Sequence, residues 1–129
     1  MSARTNRMSP KVWTDSEAIA MTERAMRDYH WTAAHIRTAL VAPLNRAEAR
    51  YYRALNRGLD LIELEAATAA RVFALRPGES HLGPKYAVTE MSASSIGCRY
   101  EIDFTDGRPS LLAYSAQAAA SLLQKEGVL

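Results

Sequence analysis

Apolar side chains recur every three or four positions between residues 15 and 76, and every second position beyond residue 85. The first spacing belongs to helices that bury one side, the second to strands that bury one face. The pattern predicts an α+β fold: N-terminal helices, then a small antiparallel meander, then one C-terminal helix. Thr14 or Asp15 offers an oxygen to the open amides of a first helix running to about Tyr29, with Ile19, Met21 or Thr22, Met26 and Tyr29 on its apolar side. Thr32 caps a second helix, from Ala33 to about Val41, that buries Ile36 and Leu40. Pro43 interrupts it, because proline disfavours helix in the residue before it. Asn45, with Glu48 at the third helical position, then opens a third helix in a capping-box pattern.

The length of this third helix has two readings. Glycine inside a helix costs about 1 kcal/mol relative to alanine, so Gly58 is a candidate terminus, and Leu61–Glu65 with Arg71–Arg76 would then form a hairpin. In the other reading one helix continues to Leu75 and stops before Pro77-Gly78. The alanine-rich run Glu65–Ala70 favours continuation, since alanine is the best helix former. The phase does too: Tyr51, Leu55, Ile62, Ala69 and Phe73 stay on one side at about 100° per residue.

After a loop over 77–84, Tyr86–Met91 and Cys98–Phe104 read as strands. In the second, Cys98, Tyr100, Ile102 and Phe104 alternate with Arg99, Glu101 and Asp103, as one buried face requires. Ser94–Gly97 and Thr105–Gly107 supply the turns, Asp106-Gly107 being a strong hairpin signal. Pro109–Tyr114 forms a third strand, and Ser115 caps a last helix that ends before Gly127 with Ala119, Leu122 and Leu123 inward.

A chain of 129 residues, 48% hydrophobic and 23% charged, is expected to form a single domain with a substantial core. Residues 1–12 read as a flexible basic arm, 13–76 as the helical part and 85–129 as the meander with its helix. The net charge of +2 is mild, but residues 1–57 hold ten Lys/Arg against five Asp/Glu, and residues 58–129 hold six against nine. That polarity favours an anionic contact in the N-terminal half. One cysteine, Cys98, rules out an internal disulfide and fits a reducing compartment. No apolar run approaches the roughly 20 residues of a membrane span, and no apolar stretch follows the N-terminal arginines. The expectation is a cytoplasmic protein without membrane contact.

Arg46, Arg50, Arg53 and Arg57 form the sharpest feature. Their spacing puts all four within about 60° of arc on one helix, with Leu44, Ala47, Tyr51, Ala54 and Leu55 centred roughly 130° away. Such a helix docks through one side and presents guanidinium groups on another. Like charges at this spacing weaken a helix by about 0.2–0.5 kcal/mol per pair, so acids or an anionic ligand outside it are expected to offset the repulsion. Guanidinium forks match phosphate oxygens and guanine edges, which makes DNA or RNA the natural partner. Asn45 and Tyr52 join the arginines as candidate contacts, with Arg4, Arg7 and Lys11 of the arm.

A short helix, a turn containing proline and a basic helix, over about residues 17–78, resemble the helix-turn-helix DNA-binding domains. With a hairpin over 59–76 the segment resembles the winged variety, Leu59–Leu64 following Gly58 and Arg71–Pro77 closing the wing. The resemblance implies a small nucleic-acid-binding regulator, with a homodimer through the meander or last helix as its expected assembly. The second reading is a non-enzymatic interaction protein, such as an inhibitor, immunity protein or mobile-element accessory factor, that meets a protein partner through the same arginines. The plainest alternative is a solvated face whose arginines pair with Glu48, Asp60 or acids of the meander.

The remaining residues give little chemistry. No Cys or carboxylate completes a metal pattern with His30 and His35, and His81 falls in a loop. Cys98 reads as core, Glu101 and Asp103 as a solvated strand side, and Trp13 and Trp31 as core anchors flanking the first helix. Gly78, Gly83, Gly97 and Gly107 are isolated turn glycines, not a phosphate loop. No enzyme, cofactor or metal is expected. A hairpin over 59–76 strengthens the DNA reading, whereas a continuous helix strengthens the protein-partner reading.

Overall fold

The computed structural model of the protein describes residues 12–41, 45–94 and 97–129. The basic arm up to Lys11, Pro43, Leu44, and Ser95 and Ile96 of the first turn lie outside the described residues. The chain is α+β, with helices α1 (Asp15–Asp28), α2 (Ala33–Ala39), α3 (Arg46–Phe73) and α4 (Ala116–Lys125). Strands β1 (Ser80–Leu82), β2 (Tyr86–Glu90), β3 (Tyr100–Phe104) and β4 (Leu111–Ala113) form one antiparallel sheet in chain order. Contacts gather into two compact units that divide between Leu59 and Asp60, each with its own apolar cluster.

In the first unit the helix starts follow the sequence. The Thr14 hydroxyl accepts from the Glu17 amide at 3.1 Å and the Glu17 carboxylate from the Thr14 amide at 3.0 Å, a complete capping box. Thr32 caps α2 through the His35 amide at 3.1 Å, and Asn45 Oδ1 accepts from the Glu48 amide at 2.8 Å. The buried side of α1 keeps Thr22 of the expected set but otherwise differs from it. It is Ala18, Thr22 and Ala25, while Ile19 and Met21 are half-buried, and Met26 and Tyr29 are 37% and 57% exposed.

The cause lies on α3. A Cβ placed on Gly58 would stand 2.2 Å from the Ala18 carbonyl oxygen and 2.3 Å from Thr22 Oγ1. The two helices meet backbone to backbone there, so only small residues fit between them and the bulky ones turn to the flanks. Thr22 Oγ1 lies 2.8 Å from both the Ala18 and Leu55 carbonyl oxygens, so its proton is shared along the crossing. Buried Asn56 ties α2 to the same helix: its Nδ2 donates to the Ile36 and Tyr52 carbonyls, and its Oδ1 accepts from Arg37 at 2.9 Å.

Gly58 therefore does not end α3. Residues 59–73 are helical, so the hairpin over 61–76 is not formed, and the helix stops at Phe73 rather than Leu75. The inward phase also needs correction near the end, where Val72 is fully buried and Phe73 is 70% exposed.

The second unit packs Val72 of α3, the sheet face bearing Val88, Tyr100 and Ile102, and the α4 residues Ala119 and Leu123 into one core. Ser115 caps α4 by accepting from the Ala118 amide at 3.0 Å, and Ala116 and Ala120 are buried beside Ala119 and Leu123, with Leu122 half-buried. Cys98 is buried just ahead of β3, and only Leu111–Ala113 of the expected third strand pairs. The loop expected over 77–84 contains β1, which puts His81 in a strand. Ser80-His81-Leu82 lacks the β-branched and aromatic residues that mark strands; pairing with β2 in the register Ser80–Thr89, His81–Val88, Leu82–Ala87 makes it one.

Glu90 is buried at the end of β2, accepts from the Ser92 amide at 2.6 Å and pairs with Arg99 at 3.5 Å. The Ser92 amide foremost, and the Arg99 guanidinium after it, hold this carboxyl below its ordinary value against the opposing effect of burial. The stability it contributes is present above the ordinary value of 4.5 and lost as pH falls through the lowered folded value. Glu90→Gln is expected to flatten the acid limb of stability, read by urea unfolding at pH 7 and at pH 3. Gly58→Ala would gain about 1 kcal/mol of helix propensity, but overlap with the Ala18 backbone outweighs it. A net loss of about 2 kcal/mol is expected in the same assay.

Candidate anion-binding groove

The first turns of α3 carry the arginines, and the close α1–α3 crossing decides what they face. Arg50, Arg53 and Arg57 line an open groove of about 340 Å³ together with Val12, Trp13, Ala18 and Ala54. Ala18 and Ala54 are buried, Trp13 is half-buried, and Val12 is exposed. The stripe is thus one wall of a recess that also has aromatic and aliphatic surface.

Its charge is partly neutralised from within. Arg57 holds Asp15 at two points, Nε to Oδ1 at 3.1 Å and Nη2 to Oδ2 at 3.2 Å. Both side chains are about half exposed, at 55% and 53%, so water screens the pair and it adds little stability. Asp15 also sits in the first turn of α1, where the helix dipole favours a carboxylate. Among the described residues no carboxylate pairs with Arg46, Arg50 or Arg53. The groove therefore keeps two uncompensated guanidinium groups.

The other sequence candidates do not join this wall. Arg46 is exposed at the start of α3 and lies outside the groove lining. The Asn45 side chain is committed to its cap. The Tyr52 ring stacks on Trp31, with centroids 5.9 Å apart and planes at 28°, and both pack against the Leu55–Leu59 core instead of beside the arginines. Arg37 is spent on Asn56. Trp31 also meets Tyr29 and His35 at 5.8 and 4.7 Å, so this histidine belongs to an aromatic cluster.

Sequence reasoning missed Asp15 as the arginine partner, naming Glu48, Asp60 and the meander acids. The one available signal was the choice of cap: once Thr14 takes the Glu17 amide, the neighbouring carboxylate is released for a side-chain partner. Trp13, expected as a core anchor, is a wall of the groove. Val12 lay within the stretch assigned to the arm.

No protein-family model, curated protein or solved structure matches this chain. Chemically, paired guanidinium groups above an apolar floor suit a carboxylate or phosphate carried next to an apolar group. Asp15→Asn is expected to free Arg57 and strengthen retention of the protein on an immobilised polyanion. Its melting temperature should change little, because the lost pair is exposed.

Proposed function

We propose that the protein is a non-enzymatic binding module that docks an acidic, apolar-bearing segment of a protein partner in the groove walled by Arg50, Arg53 and Arg57. The observation that carries this reading is that these arginines share one recess with Trp13, Ala18 and Ala54. An acidic peptide offers both complements, carboxylates for the guanidinium groups and a side chain for the apolar floor. A duplex backbone offers only the first. The helical state of residues 59–73 points the same way, because it leaves the winged arrangement without its wing. Asp15 on Arg57 behaves as a stand-in for the partner's own carboxylate, satisfying the guanidinium until a partner displaces it.

The experiment pairs a fluorescent peptide of alternating Glu and Leu with a Lys-Leu peptide of equal length and a 20-base-pair duplex, each followed by anisotropy at about 50 mM salt. The Glu-Leu peptide is expected to bind, and Arg50→Glu to weaken it by about tenfold or more. Duplex binding whose log affinity falls by about 0.9 per phosphate with log salt, without peptide binding, would transfer the groove to nucleic acid. Equal binding of both peptides would remove the charge argument altogether.

A further inference from the structure

A second recess, in the other unit, has a different chemistry. Between the C-terminal half of α3, the β1–β2 turn and the chain end lies a crevice of about 300 Å³. That is the small end of the range for ligand sites. Its walls are mainly apolar, with Leu64, Leu82, Pro84 and Val128 prominent, and Arg71, His81, Tyr86 and Thr68 also line it. Two of the apolar members lie open to solvent: Leu64 is 40% and Leu82 74% exposed.

Three of the polar groups are engaged in hydrogen bonds. The Thr68 hydroxyl donates to the Leu64 carbonyl at 2.8 Å, which spends its proton. The Tyr86 phenol oxygen lies 3.2 Å from His81 Nε2, within hydrogen-bond reach. Burial first, and Arg71 second, hold the His81 imidazole below the ordinary value, so it is neutral at pH 7. The only full charge among these four side chains is the Arg71 guanidinium, and among the described residues no carboxylate pairs with it.

We propose that this crevice binds a small apolar carboxylate, its head on Arg71 and its tail along Leu64, Leu82 and Val128. One guanidinium balances one negative charge, while a phosphate dianion would leave excess charge against apolar walls. The hydrogen-bonded His81–Tyr86 pair lines the wall without adding a second full charge. This site is independent of the arginine groove, which contains none of these residues.

The test titrates the full chain with octanoate, and with octanol and octylamine as neutral and cationic compounds of the same length, followed by amide chemical shifts. Octanoate is expected to saturate at roughly millimolar concentration or below, shifting residues of 64–72, 81–86 and 128–129. Octanol and octylamine should bind about tenfold more weakly or worse. Arg71→Gln, an exposed substitution whose fold is checked by circular dichroism, should erase the preference for octanoate over octanol. The proposal is overturned if octanoate does not saturate, if octanol binds equally well, or if Arg71→Gln leaves the preference intact.

Discussion

The contact of α1 with α3 at Gly58 is the constraint from which most of the first unit follows. Two helices reach this closeness only where neither carries a side chain in the way. Ala18, Thr22 and Gly58 supply that clearance, and the Thr22 hydroxyl is satisfied by carbonyls from both sides. The crossing brings the first turn of α1 alongside the arginines of α3, so Asp15 and Trp13 meet Arg57 and its neighbours. A bulkier residue at Gly58 would separate the helices and take the groove apart.

The helices and their caps were readable because the signals are local. Thr14, Thr32, Asn45 and Ser115 each bond an amide three residues on, a geometry that depends on spacing alone. The turn at Gly107 and the alternation of Tyr100 and Ile102 are legible for the same reason. What sequence hid was set by partners distant along the chain. Hydrophobic size suggested Ile19, Met26 and Tyr29 as the inner side of α1, whereas contact with glycine rewards the smallest side chains. β1 owes its strand state to β2, not to its own residues. The arginine stripe was visible as angle, but its counter-ion lies 42 positions away in sequence.

The two recesses treat charge differently. In the groove, repulsion among aligned arginines is relieved from another helix by a solvated carboxylate, a contact loose enough to exchange. In the crevice a single guanidinium stands among mainly apolar walls, beside a histidine held below its ordinary value and a buried phenol. The first arrangement suits an extended, replaceable surface, the second a compact guest.

The sheet's margins carry a consequence for self-association. Its outermost strands, β1 and β4, are only three residues each, and Pro84 and Pro109 stand two residues beyond their ends. A proline cannot donate to a ladder, and three residues offer few open amides to a neighbouring chain. The long pairing in the sheet, β2 with β3, is kept in the interior, where no second molecule can copy it. The fold thus protects itself against edge-to-edge polymerisation by rationing its exposed backbone.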